Sequence, residues 1–168
     1  MGLRRPAVLL FATALLVFLL DRSSKWFAVH SLADRPPVRL IPGVVQLTYT
    51  TNTGGAFGIF DHVPWVFAIA TIVISVLIVR ASANVTRPLI AIALGLVLGG
   101  ALGNLADRMS GGFSLSGHVV DFIDFRIWPV FNLADSAIVI GALLLVIATV
   151  SGGGSRQHRE GAADEHTD

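Results

Sequence analysis

Four apolar runs leave this chain few ways to fold: about Ala7 to Leu20 continuing through Trp26 and Phe27, about Val63 to Val79, about Leu89 to Leu105, and about Ile127 to Val150. Each approaches the roughly 20 residues that a helix needs to cross a bilayer. A content of 54% hydrophobic and 14% charged residues, with a mean hydropathy of +0.74, is too apolar for a soluble domain of this size. The first run follows Arg4 and Arg5 as a cleaved signal peptide would, but Asp21, Arg22 and Lys25 come after it in place of a small-residue cleavage site. The expected fold is therefore membrane α-helical, with four transmembrane helices in one domain over residues 1–150. Polar connections fall at about 30–62 and 107–126. The stretch SGGGSRQHREGAADEHTD, residues 151–168, has the composition of a disordered tail on the side of the termini.

Four spans place both termini on one side and the two longer connections on the other. Span parity alone then gathers Asp21, Asn52, Asp107, Asp121 and Asp135 at one face. Arg4, Arg5, Arg80, Arg87, Arg156 and Arg159 lie on the terminal side, and Arg22, Lys25, Arg35, Arg39, Arg108 and Arg126 on the other, so a count of cations does not orient the protein. The second set is interleaved with aspartates that can pair with it, which favours cytoplasmic termini. Within the first long connection, Val45, Leu47 and Tyr49 alternate with Gln46, Thr48 and Thr50, the period of a half-buried strand. A small sheet at the membrane surface is expected there, ending in the glycine-bearing TNTGGAFG. The second connection carries Gly111 and Gly112 and then HVVDFIDF.

Every acidic residue before the tail is an aspartate, and Asp21, Asp107, Asp121 and Asp135 stand within or at the ends of apolar segments. A carboxylate in a bilayer is costly unless paired or protonated, so each marks a candidate site. Asp21 and Lys25 are four residues apart and share a helix face. Gly95, Gly99 and Gly103 recur every fourth residue, which lets another helix backbone come close. Packing does not account for Asn104 and Asp107, one turn apart, nor for Arg108, expected as a charged partner of Asp107. Asp121 and Asp124 are three residues apart in an apolar run, and Asp135 follows Asn132 by the same spacing, about two turns into the last helix.

Two neighbouring aspartates cannot both ionise comfortably, and a shared proton lets one activate water while the other protonates the substrate. Which would be base and which acid is open at this stage. There is no cysteine, hence no disulfide, thiolate ligand or cysteine nucleophile. No GxSxG motif supports a serine triad, and no HExxH pair supports zinc, leaving His118 as a weak metal candidate and no metal or cofactor expected. A net charge of +1 argues against a nucleic-acid partner. A proton-coupled transporter is the alternative from another class, and it would set acids at mid-depth in several helices.

LLDRSSKWF, TNTGGAFGIF, GGALGNLADR, VVDFIDF and FNLADSA, in that order over about Leu19 to Ala137, resemble the lipoprotein signal peptidases, the signal peptidase II family. The resemblance implies an aspartic endopeptidase of the bacterial cytoplasmic membrane that needs no cofactor. It would cleave diacylglyceryl-modified prolipoproteins before the lipidated cysteine, as a monomer among membrane lipids, with its site near the extracytoplasmic face. By motif position it implies Asp121 and Asp135 as catalytic, Asn52, Gly54, Asn104, Arg108 and Asn132 as lining or supporting the site, and Asp21, Lys25 and Asp107 as structural polar positions.

Overall fold

The computed structural model describes residues 5–52, 64–110, 112, 115 and 117–164, with side chains described as far as 151. Helices α1 (Arg5–Leu32), α2 (Pro64–Ala81), α3 (Pro88–Met109) and α4 (Leu133–Asp164) are interleaved with strands β1 (Val38–Ile41), β2 (Val45–Asn52) and β3 (Val119–Asp124). All four helices carry a stretch long and apolar enough to cross a membrane: Arg5–Leu32, Trp65–Asn84, Pro88–Met109 and Leu133–Ser151. The chain is a multi-pass membrane protein.

Helix α3 is the centre of the bundle, packed between α1 and α4. Lipid tails are as apolar as leucine, so helices in a bilayer associate through close packing rather than through water exclusion. The glycines of α3 supply that closeness. A Cβ on Gly95 would fall 2.6 Å from the Leu10 carbonyl oxygen, and one on Gly99 would fall 2.5 Å from that of Ala14. One turn further on, Gly103 lies against the Asp21 carboxylate, while Gly100 and Gly141 serve the contact with α4. A single 3-10 turn, Ser82–Asn84, joins α2 to α3, whose first residue Pro88 has no N–H to leave unpaired.

The three strands form an antiparallel sheet in the order β1-β2-β3. The β1–β2 hairpin turns at Gly43, φ +78°, where Val44 N–H donates to the Ile41 carbonyl at 3.0 Å. The sheet rides on the end of α1, where Ala28, Leu32 and Phe122 form a small core with Leu47 and Tyr49. The α2–α3 turn therefore lies at one end of the bundle and the sheet at the other.

The small sheet expected around 44–50 is present with β2 at its centre, and its flanking strands gave no period because VRLI is too short and VVDFID too apolar. Three expectations are corrected. Helix α1 runs on to Leu32 rather than ending near Phe27. Helix α4 begins at Leu133, not near Ile127. Residues 126–128 form a bend, with Arg126 at φ +65° and the Ile127 N–H donating to the Phe125 carbonyl, and Phe131 bridges back to Ile123, so Asp135 sits in the first turn of α4 rather than two turns in. The backbone of α4 also stays helical to Asp164, beyond the apolar stretch, where a disordered tail was expected. No proline follows Leu133 to end it.

Candidate active site

Strand β3 delivers Asp121. It pairs with Thr50 of β2, and Asn52 pairs with Val119, which sets Asn52 beside the carboxylate on the buried face. Asn52 Nδ2 donates to Asp121 Oδ2 at 3.3 Å. Asp124, an odd number of residues along an extended strand, faces the other way. It accepts from Gln46 Nε2 at 2.7 Å and from the Arg126 N–H at 2.6 Å, both outside the site.

The first turn of α4 delivers Asp135. A helix start leaves backbone N–H groups without partners inside the helix, and here polar side chains of the site meet them. Asn132 Oδ1 accepts from the Asp135 N–H at 2.9 Å, and Asp135 Oδ2 accepts from the Asn132 N–H at 3.3 Å, a reciprocal cap. Asp21 Oδ1 of α1 accepts from the Ala134 N–H at 3.1 Å. The Asn-x-x-Asp spacing of FNLADS is the sequence signal of this helix start, and the apolar residues just upstream mask it.

Lys25 is the hub beneath these groups. It is 1% exposed, and its ammonium donates to Asp21 Oδ2 at 2.9 Å, Asp107 Oδ2 at 2.8 Å and Asn104 Oδ1 at 2.8 Å. The pair inferred from the four-residue spacing is therefore present but buried, as part of a larger cluster rather than an anchor at the membrane surface. Asp107 also accepts from Arg22, a residue the sequence did not single out although it lies three before Lys25. Among the described residues the expected Asp107–Arg108 partnership acts through space and not as a direct ion pair, since successive helix residues diverge by about 100°. Arg108 turns toward the site instead, with Nη1 3.4 Å from the Asn104 carbonyl oxygen, its guanidinium 5.8 Å from the Phe67 ring centre and in electrostatic reach of Asp135, Asp107 and Asp121.

An ammonium only donates, so Asn104 must turn Oδ1 toward Lys25, which leaves its Nδ2 facing the other way. That Nδ2 donates to Asp135 Oδ1 at 2.8 Å. Asn132 Nδ2 donates to the same Asn104 Oδ1 at 3.2 Å and to Asp121 Oδ1 at 2.6 Å. The amides of Asn104 and Asn132 are thus fixed in orientation, each offering N–H to a carboxylate. Both aspartates line one cavity of about 330 Å³ together with Asn52, Asn104, Arg108 and Trp128. Asp135 is half-buried at its wall, while Asp121 is 2% exposed. Burial, and then the charge of Asp135, push the Asp121 carboxyl up to about 6 against the pull of the Asn132 and Asn52 amides.

Every site residue expected from the sequence is placed in this cavity or the cluster beneath it, apart from Gly54, which lies outside the described residues. His118 is exposed and does not line the cavity. The aromatic wall of Phe67, Trp128 and Phe131 was not anticipated.

Residues 13–151 match the family described as Signal peptidase (SPase) II. The lipoprotein signal peptidase of Syntrophomonas wolfei is 47% identical over 140 residues, covering 83% of this chain and 91% of that one. That of Streptomyces coelicolor is 44% identical over 154 residues, covering 90% and 74%. A bacterial membrane enzyme solved by the in meso method at 2.3 Å resolution superposes with a TM-score of 0.76 at 31% identity, over 87% of this chain and 90% of that one. A second, at 1.9 Å, gives 0.71 at 32% identity over 83% and 91%.

Proposed function

The chain belongs to the signal peptidase II family, peptidases that remove signal peptides from lipoprotein precursors, and on that premise we propose that Asp121 and Asp135 are its catalytic pair. The bond cut is the one before the S-diacylglyceryl cysteine. The observation that carries this reading is the single cavity into which both carboxylates open, with the Asn104 and Asn132 amides held N–H forward against them. Asp21, Asp107, Asp121 and Asp135 gather at the sheet end of the bundle, which favours hydrolysis there over proton transport through its depth.

Asp135 takes the part of base. It is the more open of the two, and each of its oxygens accepts a donated hydrogen bond within reach of cavity water. Asp121, buried and pushed up to about 6, holds the shared proton. Water adds to the carbonyl carbon as Asp135 removes its proton and Asp121 protonates the carbonyl oxygen, giving a neutral tetrahedral diol. Collapse breaks the C–N bond as Asp135 gives its proton to the leaving amine and Asp121 recovers one from the diol. Arg108 and the asparagine donors line the space where oxygen charge develops.

The enzyme works as a monomer in the bacterial cytoplasmic membrane, with sheet and site toward the extracytoplasmic side and termini in the cytoplasm. Support for that orientation is the arginine content of the terminal flanks, which carry no acid before Glu160. The test is cleavage of a lipidated prolipoprotein by purified enzyme in detergent or proteoliposomes. Asp121→Asn and Asp135→Asn should each lower turnover per folded enzyme by at least about a hundredfold. Absence of product with the parent, or near-normal turnover by either variant, overturns the assignment.

A further inference from the structure

Among the described residues, two apolar grooves on the outer surface of the bundle bear comparison. One, of about 500 Å³, lies between α1, α2 and α3 and includes Leu15, Ser75 and Leu98. The other, of about 490 Å³, is walled by Phe125, Ile127, Trp128 and Phe131 above and by Val139 and Ile140 of α4 below. They differ in one respect that bears on chemistry. The second groove includes Asp135 and shares Trp128 and Phe131 with the polar cavity, while the first has no residue in common with it.

We propose that the groove along α4 below Asp135 is the seat of one acyl chain of the substrate's diacylglyceryl group. This rests on the catalytic reading above and adds to it the path of the lipid. The glyceryl group hangs from the Sγ of the residue whose amide is cut, so its ester groups lie about 7 Å from the scissile nitrogen. A chain leaving from there must enter the bilayer beside the aspartate pair, and the α4 groove is the one that starts at that point.

The groove has the form a descending chain needs. At 1.5 Å per residue, Val139 and Ile140 lie about 6–8 Å below Asp135 along α4. Leu143 and Ile147 continue the same exposed apolar stripe beyond them. At the mouth, Phe125 and Phe131 stack in parallel with ring centres 5.6 Å apart and form a rigid wall. Ile127 is 94% exposed and Trp128 is 63% exposed, apolar surface placed where the glyceryl group would leave the polar cavity.

The test uses lipopeptides of one peptide sequence carrying two palmitoyl, two octanoyl or two butyryl chains, with the parent, Ile140→Trp in the groove and Leu15→Trp in the other groove. Both positions face outward, so each indole is accommodated without repacking the bundle. For Ile140→Trp, KM for the dipalmitoyl substrate should rise about tenfold, the equivalent of two methylenes displaced from apolar contact. Its kcat should hold, and the dibutyryl substrate should be cleaved as by the parent. Leu15→Trp should match the parent throughout. Equal KM effects at all chain lengths, no effect of Ile140→Trp, or a chain-length-dependent effect confined to Leu15→Trp would each overturn the groove assignment while leaving the catalytic reading standing. A parent that cleaves none of the three overturns the catalytic reading, and this one with it.

Discussion

Asp121→Asn should stabilise the fold at pH 8 while abolishing cleavage. The folded protein holds the Asp121 proton more tightly than the unfolded chain does, its carboxyl being pushed from 3.8 to about 6. Stability from that grip is fully present below pH 3.8, where both states are protonated, and is lost as the pH rises through about 6. At pH 8 both states are ionised and the fold bears a penalty of about 3 kcal/mol, at 1.36 kcal/mol for each tenfold change in proton affinity. An asparagine removes the ionisation. Its NH2 group must then face one of the two amides that now donate to Asp121, at 2.6 Å from Asn132 and 3.3 Å from Asn52, and that loss costs about 1 kcal/mol. The variant should therefore be about 1–2 kcal/mol more stable at pH 8 and no more stable than the parent at pH 4. Thermal unfolding in detergent, followed by intrinsic tryptophan fluorescence at both pH values, measures this. Taking the variant-minus-parent difference cancels the titrating groups that do not interact with Asp121. A variant less stable than the parent at pH 8, or a difference independent of pH, refutes the reasoning.

Three further outcomes follow from the contacts. Asp124→Asn should retain within about threefold of parental turnover, since among the described residues Asp124 bonds to Gln46 and Arg126, both outside the cavity. A dead but well-folded Asp124→Asn would shift the catalytic pair. Lys25→Met should cost about 3–5 kcal/mol, because it leaves the buried carboxylates of Asp21 and Asp107 without their shared cation. The yield of monodisperse protein and its melting temperature report on that, and an unchanged melting temperature would contradict it. Single cysteines at Val44 in the β1–β2 turn and at Asn84 in the α2–α3 turn, both exposed, should react with an impermeant thiol reagent from opposite faces of sealed vesicles. Labelling of both from one face would exclude the four-span topology.

How much of this was legible in the sequence depends on the range of the interaction. Four spans could be counted because a bilayer imposes a length, and the Asp21–Lys25 pair could be read because helix geometry fixes what lies four residues on. The glycines of α3 announced a close helix contact, but one residue every fourth says only that a face is flat. Which helix meets it is settled by Leu10, Ala14 and Asp21 on α1. Contacts between distant segments gave no local signal. Arg22 meets Asp107 across 85 residues, and Lys25 meets Asn104 across 79. Asp107 and Arg108 are adjacent, which on a helix is the spacing that points two side chains apart. The start of α4 was misplaced for a related reason. Ile127, Trp128 and Val130 extend the apolar run, but they belong to the aromatic wall and groove of the site and not to the helix.

The reciprocal cap between Asn132 and Asp135 gives the two aspartates opposite thermodynamic fingerprints. Asp135 accepts the Asn132 N–H and stands at the positive end of the α4 dipole, so neutralising it unpicks a helix terminus. Asp135→Asn should loosen the fold by about 0.5–1.5 kcal/mol at pH 8, where Asp121→Asn tightens it. The members of a symmetric-looking pair can then be told apart with no substrate present, by the sign of a melting shift. That same cap ties the Asp135 carboxylate to the spot where a transmembrane helix begins, so the cavity wall and the helix start share one set of hydrogen bonds.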